Sequence, residues 1–415
     1  MIFAHLFGFL FTNVPPPSLP IIPWEKASVF QIPSDPDPQV QGIVDEYLQI
    51  LARQGLSTEK QGIWIQSDWA ILADNQGKIP ASAASLTKIA TTIASLDKWG
   101  LNHRFSTKIY RQGEINNGIL QGNLIVEYGG DPLFVWEEAI VLGSKLQQLG
   151  INKIEGNLIV VGNWQMNYEE NPLKSGELLK QALNEKKWSG IIKKQYEAMK
   201  NKPLPPNIQI EGIVAKTDGV PNNTSLLLTH QSLTLREILR LMNVYSNNKI
   251  AESLAQQMGG GAKVANIASK IANVSPEEIL LHNGSGLGVD NRISPRAVCR
   301  MLMSLETTLQ NTDINIGDLF PVAGVDKKGT VEYRNIPLGI PLKTGTLSVV
   351  SALAGVISTS QRNHVYFAVI NYGSDIEDLR KKQDVLLGNL EQHWRFKPLL
   401  PTKSIDISFG DIQRN

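Results

Sequence analysis

Apolar residues recur along this chain at two different periods, and the switches between them mark out its elements. From Gln39 to Gln54 (QVQGIVDEYLQILARQ) they fall at helical spacing and stop at Gly55, which predicts an N-terminal helix. GIWIQ and AILADNQGK then read as two short strands of a hairpin. After Pro80 a small-residue turn leads into the helical pattern SLTKIATTIASLDKWG. The far end has a similar character: LSVVSALAGVIS, a polar turn TSQRN and HVYFAVINYG predict two long strands, closed by an amphipathic helix from about Ser374 to Trp394. An antiparallel sheet faced by the first and last helices gives each helix a surface on which to bury its apolar stripe, so the pattern predicts an α+β fold.

Between these ends, GILQGNLIVEYGGD and INKIEGNLIVVGNW each place a Gly-Asn turn before a β-branched run, which predicts a smaller β-containing insert. The polar, Lys-rich stretch from about Asn167 to Asn207 reads as a helix and linker, and helical patterns dominate from Leu233 to Gly260 and from Ser294 to Glu306. The expected organisation is therefore a catalytic domain over residues 35–105 and 223–396, an insert over 106–222, and a loosely held tail over 397–415. Residues 1–34, with the apolar run MIFAHLFGFLFTNVPPP and a Pro-rich linker, read as a signal or anchor segment. The run has the length of a signal-peptide core but is too short to span a bilayer.

Composition narrows the chemistry. A chain of 415 residues exceeds the usual size of one core, in keeping with a domain carrying an insert. A formal net charge of +1 offers no electrostatic basis for binding nucleic acid. The single cysteine, Cys299, excludes an internal disulfide and sits in a helical pattern as a buried thiol. The six histidines form no HExxH, and no metal site or cofactor is indicated.

A serine nucleophile needs a base, and a lysine three residues later lies on the same helix face. Four pairs have that spacing: Ser57/Lys60, Ser85/Lys88, Ser95/Lys98 and Ser246/Lys249. Two further motifs select among them, SNN at Ser246–Asn248 and KTG at Lys343–Gly345. Only Ser85 opens a helix after a hairpin and precedes both. Ser82, in PASAAS, is a rival nucleophile, but its partner three residues on is Ser85. A triad of Ser285, His282 and Asp290 in the glycine-rich NGSGLG has no supporting context. His230 reads as a strand or loop residue, Asp131 of GGD as a turn residue, and Trp64, Trp69 and Trp99 as packing groups.

The order SxxK, SxN, KTG is the signature of penicillin-binding proteins and class A β-lactamases. The chain more closely resembles the D-alanyl-D-alanine carboxypeptidase/endopeptidase family of class C low-molecular-mass penicillin-binding proteins. It does so through GGDP (129–132), IEGNLIV (154–160), NGSGLGVDNRISP (283–295), PVAGVD (321–326) and KTGTLSVVSALAG (343–355). The resemblance implies a penicilloyl-serine-transferase fold, with an antiparallel sheet flanked by helices, an all-helical region and a small insert. It implies an extracytoplasmic hydrolase of peptidoglycan stem peptides that β-lactams acylate, with no cofactor; the oligomeric state stays open. By the same resemblance, Ser85 is acylated and Lys88 is its base. Ser246 relays protons, and Asn248 holds the substrate amide and Lys88. Lys343, Thr344 and Thr346 surround the terminal carboxylate, and the Ser85 and Thr346 N–H groups form the oxyanion hole. Gly345 leaves room for a substrate strand. Asn247 stands where many relatives have Asp, and the separation of Ser85 from Ser246 is short for the family. The alternatives are a β-lactamase or broad esterase of the same fold, or a catalytically idle peptidoglycan-binding module. A β-lactamase wants a Glu four residues before an Asn, where KQALN (180–184) has Lys180.

Overall fold

A computed structural model of the chain describes residues 37–402 and 407–415. The signal or anchor reading of residues 1–34 lies outside them. Five antiparallel strands form the main sheet, in the order Leu342–Leu347, Val350–Ser358, His364–Tyr372, Gly62–Ser67, Ile71–Asn75. Both faces are covered, which is why the central strands are apolar almost throughout. On one face Leu353, Phe367 and Val369 pack against Val44, Leu48 and Leu51 of the helix Pro38–Arg53 and Leu386, Leu390 and Trp394 of the helix Ile376–Trp394. On the other, Ala352, Ala354 and Ala368 join the core built on the helix Pro295–Leu309. Burying both faces is what ties the first and last helices to one sheet.

Three details differ from the pattern reading. LSVVSALAGVIS is not one strand: the chain turns at Ser348 and Val349, so the KTG segment is an edge strand of its own. That turn carries no Gly, Pro, Asn or Asp, so the run reads as one strand. Gly261–Ala272 is an additional helix, hidden behind the glycine run 259–261 that reads as a helix end. The stretch 167–207 holds two helices, Pro172–Ala182 and Gly190–Ala198. The central helix of the helical region is Thr87–Trp99, packed by Leu235–Val244, Asn248–Gln257, Gly261–Ala272 and Pro295–Leu309.

A second sheet runs from Arg104 to Thr234. Arg104–Asn116 lies between Ser225–Thr234 and Ile119–Glu127, and parallel strands follow at Leu158–Val161 and Val214–Thr217. The two GNLIV segments thus lie side by side, Leu124 opposite Leu158 and Val126 opposite Val160. A third, degenerate copy (IEGIVAKT, 210–217) extends the stack. The Gly156 N–H donates to Gly122 O, and the Gly212 N–H to Gly156 O, each at 3.0 Å. A side chain on Gly156 or Gly212 would collide with the preceding glycine's carbonyl.

Residues 407–415 correct the expectation of a loose tail. Ile407 and Phe409 pack on the catalytic core and Ile412 on the insert's core. Buried Glu138 of the insert accepts from the Gly410 N–H at 3.0 Å and pairs with Arg414. A buried carboxylate needs such partners, and the tail supplies them.

Candidate active site

The turn that presents Ser85 is held from three sides. The strand Ala81–Ser82 pairs with Arg292–Ile293, and the Ala83 N–H donates to Asn291 O at 2.9 Å. Ala84 takes φ +46°, a conformation unusual for a residue with a side chain, and opens the short 3₁₀ turn Ala84–Leu86 that feeds the helix Thr87–Trp99. Gly286 presses so closely on this turn that an added Cβ would stand 1.8 Å from Ala84 O. An added Cβ on Gly345 would lie 3.0 Å from Ala83 O and 3.1 Å from the Ser85 nitrogen. The missing side chain at Gly345 therefore leaves space for the turn that carries Ser85.

One helical turn after the half-buried Ser85, Lys88 is fully buried. Its Nζ lies 2.8 Å from Asn248 Oδ1, 2.8 Å from Ser285 O and 3.1 Å from Ser85 Oγ. The first two neighbours only accept hydrogen bonds, so they engage both N–H groups of a neutral amine and leave its lone pair for the serine hydroxyl. Burial pushes Lys88 down to about 7, opposed by the charge of Glu252. Glu252 also fixes the carbonyl: its two oxygens accept from the Gly284 and Ser285 N–H groups, each at 3.1 Å.

Ser246 sits at φ +51° between the helices Leu235–Val244 and Asn248–Gln257. Lys343 Nζ, on the edge strand, lies 3.1 Å from Ser246 Oγ and 2.9 Å from Thr344 O. Lys343 is wholly buried, and burial together with the nearby Lys88 pushes it well below the ordinary lysine range. Asn247 caps the second helix by accepting from the Ile250 N–H at 3.1 Å, a role Asp fills equally well. Thr344 is buried, whereas Thr346 is exposed and accepts a hydrogen bond of 2.8 Å from Arg380 Nη2. Beside Asn247, Glu170 pairs with Lys249 at 2.7 Å, and Tyr168 joins Tyr245, Asn247 and Phe409 around a cavity of about 480 Å³.

The structure thus brings Ser85, Lys88, Ser246, Asn248 and Lys343 together, with Thr344, Gly345 and Thr346 on the adjoining strand. The lysines of the rival pairs are apart from it. Lys98 donates to Gln257 O, Lys249 faces Glu170, and Ser57 and Lys60 flank a surface 3₁₀ turn. Ser82 is buried, with its N–H on Tyr372 Oη at 2.6 Å. The Ser285 hydroxyl meets Asn283 and Leu287, not His282 or Asp290. Cys299 and Trp64 are buried, Trp99 packs on His103 and Phe105, and Trp69 is half exposed under Arg362. His230 is buried in the strand Ser225–Thr234, and Asp131 is buried and accepts from the Leu133 N–H. Lys180 donates to Gly212 O within the insert. Sequence reasoning missed Glu252, the Ser285 carbonyl and Arg380. Glu252 had a signal, because it lies one helical turn after Asn248 on the same face.

The profile of the D-Ala-D-Ala carboxypeptidase 3 (S13) family matches residues 43–172 and 189–393. Among characterised relatives, D-alanyl-D-alanine carboxypeptidase DacB of Haemophilus influenzae is 24% identical over 414 residues, covering 75% of this chain and 85% of its own. Two solved structures share the fold. A predatory peptidoglycan endopeptidase of Bdellovibrio bacteriovorus has a TM-score of 0.72 at 22% identity, covering 85% of this chain and 97% of its own. Penicillin-binding protein 4 of Haemophilus influenzae, in complex with a β-lactam, has a TM-score of 0.65 at 21% identity, covering 83% and 98%. The fold is therefore the α+β fold of penicillin-binding peptidases.

Proposed function

Because the chain belongs to the D-Ala-D-Ala carboxypeptidase 3 (S13) family, we propose that it is a serine-type hydrolase of D-Ala-D-Ala termini or D-Ala cross-links in peptidoglycan stem peptides. Lys88 takes the Ser85 proton as Oγ attacks the carbonyl of the penultimate D-Ala, with the Ser85 and Thr346 N–H groups receiving the oxyanion. The proton passes through Ser246, beside Lys343, to the departing amine. Water then cleaves the acyl-enzyme and restores Ser85. Asn248 orients both Lys88 and the substrate amide, and the Thr344 and Thr346 hydroxyls receive the terminal carboxylate. A β-lactam enters the same chemistry by ring opening on Ser85.

The observation that carries this reading is the Lys88 amine, held by two acceptors with a depressed proton affinity 3.1 Å from Ser85 Oγ. The substrate belongs to the cell wall, so we place its action outside the cytoplasm. Among the described residues no helix is long and apolar enough to cross a membrane. Incubation with a stem pentapeptide and with a cross-linked dimer, followed by mass spectrometry, tests the proposal. Loss of one D-Ala or scission of the dimer is expected. An unchanged pair of substrates alongside rapid catalytic hydrolysis of a penicillin would identify a β-lactamase instead.

A further inference from the structure

We propose that Arg380 supplies the positive charge that recognises the substrate's terminal carboxylate, through the Thr346 hydroxyl. This inference rests on the functional reading above. The obvious cation at that end of the site is Lys343, but it is committed elsewhere. Its Nζ donates to Thr344 O at 2.9 Å and contacts Ser246 Oγ at 3.1 Å, inside the protein and beside a second lysine. An amine so placed is a poor carrier of charge, since burial and a like neighbour both disfavour the ammonium. A fixed positive charge strengthens the hold on a free carboxylate well beyond that on a neutral terminus.

Arg380 is placed to provide it. It rises from the first turns of the helix Ile376–Trp394, crosses to the edge strand and donates from Nη2 to Thr346 Oγ1 at 2.8 Å. A hydroxyl that accepts from Arg380 still has its own proton to give, so Thr346 can donate to the carboxylate while the guanidinium polarises it. A carboxylate oxygen about 2.7 Å from Oγ1 lies within roughly 5.5 Å of Nη2. Arginine is a permanent cation with five N–H groups, so the contacts with Thr346 and Glu377 leave others for the ligand. The Glu377 contact is a surface pair three residues away on the same helix, which substrate can displace at small cost.

The test compares kcat/KM for a D-Ala-D-Ala peptide with a free C-terminus and for the same peptide amidated, in the wild type, Arg380→Gln and Arg380→Lys. The wild type is expected to prefer the free acid. Arg380→Gln should reduce that preference by roughly tenfold, mainly through KM of the free acid, and added salt should erode the wild-type preference. Arg380→Lys should restore part of it. An equal loss on both peptides would show a structural role and overturn the assignment, as would an unchanged ratio. If the wild type cleaves neither peptide and takes no label from penicillin, the functional reading itself fails. Wild-type cleavage with an unaltered ratio in Arg380→Gln sinks this inference alone.

Discussion

At the scale of single residues, the proposed chemistry depends on the charge state of Lys88. A base must be neutral to accept the Ser85 proton, so acylation should rise with pH through about 7 and fall away below it as Lys88 gains a proton. Glu252 sets where that limb lies. Its charge favours the ammonium, and its two oxygens hold the loop whose Ser285 carbonyl receives Lys88. Glu252→Gln removes the charge and turns one acceptor into a donor facing an N–H. Stopped-flow acylation across pH should show the acid limb moved to lower pH, with a stability loss of about 1–3 kcal/mol from the unmatched N–H group. A lower plateau with an unmoved limb would mean that Glu252 only braces the loop. The residues named by motif strings were legible because side chains carry them. The Ser285 carbonyl was not, since every residue has one, and the Arg380 contact joins segments 34 residues apart in sequence.

At the scale of elements, the nucleophile turn is shaped by two glycines that belong to other elements. Gly286 has φ +81° and no space for a Cβ against Ala84 O. Gly286→Ala should therefore displace the turn and lower acylation far more than it lowers the melting temperature, because the strain falls on the site and spares the cores. Parallel measurements of penicillin acylation rate and thermal unfolding check this; normal acylation would show that the loop yields instead of the turn. The long periodic elements were readable, since a helix on a sheet must declare its buried stripe. The hairpin at Ser348 and Val349, the helix Gly261–Ala272 and the third copy of the insert's repeat were not. In each case local punctuation was missing or misleading: a turn without Gly, Pro, Asn or Asp, a run of glycines, and a copy that has lost its Asn-Leu.

At the scale of the whole molecule, residues 407–415 bridge the core around Thr87–Trp99 and the core of the second sheet, and the Glu138–Arg414 contact anchors them. Burial raises the Glu138 carboxyl to about 7, with Arg414 pulling the other way. In Arg414→Ala the carboxyl loses that partner, so its folded-state affinity for a proton rises further above the unfolded value. Stability from such a group is present at low pH and is lost as pH rises through the folded-state value. The substitution should therefore cost about 3 kcal/mol at pH 8 and less at pH 6, read from thermal or denaturant unfolding. A larger loss at pH 6 would contradict the sign. No sequence pattern announced this bridge, because its residues act through partners more than 270 positions away. The two glycine-asparagine repeats, by contrast, were legible as strands, and they lie side by side in the second sheet.

The central claim is that Ser85 becomes acylated. Intact-protein mass spectrometry after exposure to benzylpenicillin, followed by peptide mapping of the wild type, Ser85→Ala and Ser82→Ala, tests it most directly. The account predicts one penicilloyl adduct on the peptide containing Ser85, absent from Ser85→Ala and retained in Ser82→Ala. An adduct that persists in Ser85→Ala and disappears from Ser82→Ala would contradict it.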